Sequence, residues 1–412
     1  MKKIMKYRHA VLAASISTVL LVGCNANATK ESTSAVVKAA PAAATTMSMG
    51  PAKLEPLGPP PIPADNLQSP GKIALGKVLF FDPRIGGDAS TGCSTCHEPD
   101  QGWAWAEDFS RGYPGTVHWR NSQSIINSAY YPRLFWAGSA SSLEKQARSA
   151  ARGGVAGNGE ADLMEARVAL IPEYRKQFKE VFGTEWPLIK DVWRAIASYE
   201  RTLIQLDTPI DNYLKGDKSA LSEEQIRGKV IFEGKAGCIQ CHNGPLATDL
   251  KFYNVGVPAS PRWQDDGLAQ ITFRFEQYAK GMTQEGYRKA KDDWGYYYRS
   301  KNSWDKGKFR TPTLRYVVYT PPYLHNGMLD TLEEVVDFYN RGGRMEDGST
   351  TSFPQNKSDL IKPLNLSDQE KEDLVAFIEA FSGEEILVAK PELPDYAPLF
   401  TKAELEAAQE AK

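Results

Sequence analysis

Cys93-Ser94-Thr95-Cys96-His97 and Cys238-Ile239-Gln240-Cys241-His242 decide the reading of this 412-residue chain. Each is a Cys-x-x-Cys-His pattern, the attachment signature of haem c. The two thiols add to the vinyl groups of the haem, and the adjacent His is held beneath the iron as its proximal ligand. A thioredoxin-like redox pair and a zinc site of four cysteines are the rival readings. A redox pair uses neither the His nor a second copy, and a zinc site leaves both histidines without a role. The chain has five cysteines, and the fifth, Cys24, lies near the N-terminus, so none is left for a structural disulfide. Two covalent haem c groups are expected.

Around the two motifs the apolar spacing is helical. Ile73, Leu75, Val78 and Leu79 form one stripe, stopped by Asp82-Pro83. Ile189, Val192, Ile196 and Leu203 form another. Ser222-Glu223-Glu224-Gln225 and Thr331-Leu332-Glu333-Glu334 resemble capping boxes, the second helix closing at Gly342-Gly343, and Ser367 to Phe381 reads as a further helix. No alternating strand pattern exceeds a few residues. The spacing therefore predicts a mostly α fold of two cytochrome c-like haem domains with long loops, over residues 67–205 and 206–390.

The ends read differently. Lys2, Lys3, Lys6 and Arg8 precede the apolar run Ala10–Val22, a signal-peptide pattern too short for a comfortable membrane span. Leu21-Val22-Gly23-Cys24 resembles a lipobox, so residues 1–23 are expected to be removed and Cys24 lipidated. Asn25 after it points to the outer membrane, and the chain is placed in the periplasm or on that membrane, held by its lipid alone. Residues 24–66, rich in Ala, Pro, Ser and Thr, read as a disordered tether, and residues 391–412 as an extension ending in a charged helix. The formal net charge is −2, and about −6 without the four positive charges of residues 1–23, which gives no argument for a nucleic-acid partner.

The residues between and beyond the motifs resemble the bacterial dihaem cytochrome c peroxidase and MauG family. The carriers are Leu75-Gly76-Lys77-Val78-Leu79-Phe80-Phe81-Asp82, Arg120-Asn121-Ser122, Phe135-Trp136, Leu143-Glu144-Lys145-Gln146-Ala147 and Ile171-Pro172-Glu173-Tyr174. Phe309-Arg310-Thr311-Pro312-Thr313-Leu314-Arg315, Pro322-Tyr323-Leu324-His325-Asn326-Gly327 and Thr331-Leu332-Glu333-Glu334-Val335-Val336 complete them. The resemblance implies hydrogen peroxide as oxidant. The electron donor is then a small cytochrome c or cupredoxin. Two rivals remain: MauG-like oxidation of Trp or Tyr in a partner protein, and a non-enzymatic electron carrier or peroxide sensor. Dimers are common in the family.

By the same resemblance, His97 ligates the peroxide haem and His242 the electron-transfer haem. Trp136 matches the tryptophan between the haems, and Gln146 a glutamine of the distal pocket. The family usually places a Glu ten residues after that Gln, where this chain has Ala156, and Glu160 is the nearby substitute. Tyr339 falls where the far ligand of the second iron is Met or Tyr, with Met345 as competitor. Asn121, Thr320 and Pro322 match a calcium site built from oxygen ligands. A removable sixth ligand in some peroxidases stands farther ahead of Arg120-Asn121 than His118 does, so His118 reads as a hydrogen-bonding loop residue, and His325 as a hydrogen-bonding residue near the haem propionates rather than an iron ligand. The aromatic stretch 259–307 departs from the shorter family members and reads as packing over the second haem, with a partner-docking surface or a redox-active aromatic relay as the alternatives.

Overall fold

The computed structural model describes residues 52–397. The signal segment, Cys24, residues 25–51 and residues 398–412 lie outside them. Ser69 opens α1 (Pro70–Phe81) by accepting the Lys72 N–H, and Asp82 ends it, as the Asp82-Pro83 stop predicts. There follow α2 (Leu143–Arg152), α3 (Ala161–Ala169), α4 (Pro172–Phe182) and α5 (Ile189–Glu200). The second half carries α6 (Pro209–Leu214), α7 (Glu223–Glu233), α8 (Arg262–Asp265), α9 (Gly267–Ala279), α10 (Gln284–Arg288), α11 (Tyr297–Ser300), α12 (Leu332–Asn340) and α13 (Asp368–Glu379). Capping boxes at Ser222, Thr331 and Ser367 start α7, α12 and α13, each stabilising its helix by about 1 kcal/mol. The paired strands among the described residues are two residues long: β1 (Phe252–Tyr253) runs antiparallel to β2 (Phe309–Arg310). The fold is mostly helical, and none of the described helices is long and apolar enough to cross a membrane.

Two cores organise the helices. The first gathers Leu79, Phe80, Trp103, Tyr174, Phe178 and Ile196, and the second Ile210, Phe232, Val336, Leu374, Phe377 and Phe381. In the first, α1 packs on α5; in the second, α7 packs on α13. Both crossings rest on a glycine. A Cβ on Gly76 would lie 1.9 Å from the Ala195 carbonyl oxygen, and one on Gly228 would lie 1.8 Å from that of Asp373. Their surroundings, Gly76-Lys77-Val78-Leu79-Phe80 and Gly228-Lys229-Val230-Ile231-Phe232, are near copies, and both phenylalanines are fully buried.

The duplication continues after each motif. A 3-10 turn at Ser128–Tyr130 follows Asn127 at φ 61°, and one at Val317–Tyr319 follows Tyr316 at φ 68°. Phe135 and Leu324 then both take positive φ, three residues before Gly138 and Gly327, which do the same. Leu134 bridges Ala140, and Tyr323 bridges Leu329. In this register Trp136 corresponds to His325.

The ends of the described chain cross over. Leu54 joins the second core, and the Leu57 N–H donates to Asp211 Oδ1 over 3.0 Å. Asn66 is buried and donates to Glu144 Oε1 over 2.8 Å. The tether reading therefore fails for residues 54–66: apolar Leu54 and Leu57, set among prolines, find a surface that composition alone does not reveal. At the other end Ile386 and Val388 lie against the first core, and the Trp103 Nε1–H donates to the Ile386 carbonyl over 2.7 Å.

Gly228→Ala should lower stability by roughly 1–3 kcal/mol, the usual cost of overpacking, read by thermal unfolding. Gly58→Ala, with nothing within 4 Å of its added Cβ, serves as the neutral control.

Candidate active site

Both motifs fold alike. Cys93–Thr95 and Cys238–Gln240 are single 3-10 turns. The His97 N–H bonds to the Cys93 carbonyl at 3.1 Å, and the His242 N–H to that of Cys238 at 2.9 Å. Each ring is then held through Nδ1. His97 donates to the Trp103 carbonyl (3.2 Å) and His242 to the Ala247 carbonyl (3.1 Å). A carbonyl only accepts, so the proton sits on Nδ1 and Nε2 keeps its lone pair for a metal. Burial holds His97 down to about 4 and His242 below its ordinary range, so both rings are neutral. Burial also pushes the Cys238 thiol up to about 12 and the Cys241 thiol to about 11, with Cys93 and Cys96 raised as well. All four thiols are unbridged.

The two turns open onto one cavity of about 730 Å³, lined by Cys96, His97, Cys238, Cys241 and His242. Arg310 lines it too, at 3% exposure, and its Nε and Nη1 have no hydrogen-bond partner among the described residues. A buried guanidinium without an anion costs several kcal/mol. The carboxylates of a haem are what such a group requires, while the thiols and neutral imidazoles match its vinyl groups and iron. The donor set fits haem c at both motifs.

Most of the expected residues meet in this cavity. Trp136 lines it, with its Nε1–H on the Asn121 carbonyl at 2.9 Å and its ring edge-on to His325 at 6.3 Å. Gln146 lines it from the first turn of α2, and Ala156 from the loop beyond. Tyr339, on the last turn of α12, lines it with its hydroxyl pKa raised by burial, whereas Met345 lies outside the lining. Asn121, Thr320 and Pro322 line it as well. His118 does so with Nδ1 against the Arg120 backbone, and its pKa is lowered to about 4 by burial. His325 lines the cavity, stacks on Phe309 at 3.6 Å between ring centroids and makes no hydrogen bond through its ring among the described residues.

Two expectations are corrected. Glu160 does not reach the cavity. It is exposed at the start of α3 and lies 3.7 Å from Arg152, because the Gly-rich loop directs Ala156 rather than Glu160 inward. The aromatic stretch packs chiefly on the side of the first motif. Trp263, Phe273 and Met282 join Phe109, Val117, Trp119 and Val155 in one buried cluster. Asp293, from the same stretch, forms a buried two-pronged pair with Arg120 at 2.6 and 2.8 Å.

Some charged groups of the lining escaped the sequence reading. Glu276 and Lys280 come from the aromatic stretch. Glu200, at the end of α5, is 3% exposed, and its Oε2 has no partner among the described residues. Burial pushes the Glu200 carboxyl up to about 8. An apolar helix face with an acid at its end gives no sequence signal for this.

A family model described as di-haem cytochrome c peroxidase matches residues 70–219. Cytochrome-c peroxidase IdrP1 of Denitromonas iodatirespirans is 55% identical over 375 residues, 89% of this chain and 98% of that protein. Methylamine utilization protein MauG of Methylorubrum extorquens is 33% identical, over 81% of this chain and 84% of its own length. Among solved structures, a MauG-like protein associated with microbial copper homeostasis superposes with a TM-score of 0.68 at 29% identity, covering 80% of this chain and 94% of its own.

The folded state binds the Glu200 proton more tightly than the unfolded chain does. The stability this contributes is present below about pH 4.5 and is lost as pH rises towards 8. Glu200→Gln cannot ionise. Its unfolding free energy should exceed that of the wild type by a margin that grows from pH 5 to pH 9, to roughly 4–5 kcal/mol, as denaturant titration at each pH would show.

Proposed function

This chain belongs to the dihaem cytochrome c peroxidase and MauG family, and from that premise we propose that it reduces hydrogen peroxide to two waters with two protons and two electrons from a small cytochrome c or cupredoxin. The observation that carries the reading is the single cavity reached by both Cys-x-x-Cys-His turns and by Trp136. When bound, the two haem c groups supply the redox-active irons. The chain's residues do the rest. The four thiols anchor, and His97 and His242 present Nε2. The free N–H groups of Arg310 receive carboxylate. Trp136, fixed by the Asn121 carbonyl, couples the two halves, and Gln146 offers its amide to peroxide. Residues 67–205 then carry the peroxide site and residues 206–390 the site of electron entry.

Tyr339 favours a second reading, MauG-like oxidation of Trp or Tyr in a partner protein. A tyrosinate ligand favours ferric iron and lowers the potential, where methionine raises it. Tyr339 lines the cavity and Met345 does not. Calcium fits beside the same pocket. The Thr320 and Pro322 carbonyls accept no hydrogen bond among the described residues, and oxygen-only ligation suits that ion. The N-terminal pattern supports export to the periplasm or outer membrane on a lipid at Cys24, and a homodimer accords with the family.

Given a reduced donor, the dihaem protein should consume one peroxide per two electrons, and Trp136→Ala should slow donor oxidation at least about tenfold with haem content unchanged. If peroxide is consumed only when a partner's Trp or Tyr is oxidised, the second reading wins; if both haems are present and peroxide persists, both fail. Cys24→Ala should move the protein from the membrane to the soluble fraction with both haems retained, as fractionation and mass spectrometry would show.

A further inference from the structure

The position expected to hold the distal carboxylate is Ala156, and Glu160 turns away to solvent. The cavity nonetheless has a carboxylate on that side. Helix α9, from the aromatic stretch, lies directly on the 153–156 loop: a Cβ on Gly154 would sit 3.2 Å from the Phe275 ring, and Val155 is buried with Phe273. One position beyond Phe275, Glu276 lines the cavity, together with Ala156, Gln146 and His118.

The Glu276 side chain is 12% exposed and ion-pairs with Lys280, one turn on. Pairs at this spacing normally lie on solvent faces, where they add a few tenths of a kcal/mol. Turning one inward costs desolvation that the pair recovers only in part. The inward placement therefore points to use rather than to stability. Lys280 also holds its ammonium 4.7 Å from the centroid of the Trp119 ring, which fixes the far end of the pair. Lys280 pairs with the carboxylate, and the charge of Glu276 acts on His118.

We infer that Glu276, delivered by helix α9, is the carboxylate that moves the proton in peroxide cleavage, in place of the residue absent at Ala156. This rests on the peroxide-reducing reading. The carboxylate takes the proton of the inner peroxide oxygen and returns it to the outer one. The O–O bond breaks with its electron pair on the outer oxygen, which leaves as water. Two donor electrons and two solvent protons turn the inner oxygen into the second water.

The test uses the full dihaem protein. In single turnover with hydrogen peroxide, Glu276→Gln should be slower by about 10²-fold or more, while Glu276→Asp keeps most of the rate. Peracetic acid releases a carboxylate that needs no such proton, so with it Glu276→Gln should stay close to wild type. Fluoride binds ferric haem with uptake of a proton by a pocket base, and its affinity, read by absorption, should fall about tenfold in Glu276→Gln. A Glu276→Gln rate equal to wild type with hydrogen peroxide overturns the inference. So does an equal loss with both oxidants, which marks a structural role. If the wild type ignores peroxide, the functional reading fails instead, and unchanged fluoride affinity in Glu276→Gln then rejects Glu276 separately.

Discussion

One buried carboxylate ties four parts of the chain together. Asp211 takes both Nη groups of Arg315 at 2.7 Å each, and neither side chain is more than 1% exposed. The same carboxylate accepts from the Leu57 N–H and from the Thr208 hydroxyl, while Arg315 reaches the Pro245 carbonyl beside the second motif. Removing one member of such a pair leaves an uncompensated buried charge, at a cost of roughly 3–5 kcal/mol. The N-terminal strap, the start of α6, the second motif loop and the segment after β2 thus share one fixed point. The strap at the other end lies on the first core. Each end of the described chain therefore holds the half that is distant from it in sequence, and the cavity between the motifs is held from both sides.

Within that clamp the two halves repeat one plan. Helix, motif, positive-φ turn and capped helix recur in the same order, and the same two glycines allow the crossing helices to touch. The repeat places Trp136 and His325 at equivalent positions, and they pack against each other. A duplicated frame whose equivalent side chains meet at its centre is a direct way to bring two redox groups within reach of one aromatic pair. The equivalence is carried by backbone signs rather than by residue identities: Phe135 matches Leu324, and Asn127 matches Tyr316. It becomes visible only in the dihedral angles.

The aromatic stretch 259–307 breaks the symmetry. It belongs to the second half by sequence and to the first by contact, because Asp293 pairs with Arg120 beside Trp119, and because Trp263 and Phe273 find aromatic partners in Phe109 and Trp119. Its consequence is chemical as well as structural, since it brings Glu276 and Lys280 into a pocket whose own loop supplies only Gly, Val and Ala.

The order of amino acids carries everything that local chemistry can specify. The attachment cysteines with their histidines, the capped helix starts at Ser222, Thr331 and Ser367, the stop at Asp82 and the family likeness are all matters of short spacing. Trp136, Gln146 and Tyr339 came from that likeness by register, and they meet in one cavity because the helices and loops bearing them keep it. The remainder depends on long-range partners, which exist only once the chain is folded. Residues 54–66 looked like tether because their few apolar side chains have no partner nearby in sequence. Glu160 looked like a substitute for the missing carboxylate because four residues is a short step along the chain, yet the Gly-rich loop sends it to solvent. Glu276 stands 120 positions beyond Ala156, and only the packing of α9 on the 153–156 loop brings the two to one pocket. Sequence spacing encodes helices and turns, whereas the protonation chemistry of a site depends on which charged groups share a low-dielectric space, and that is fixed by packing.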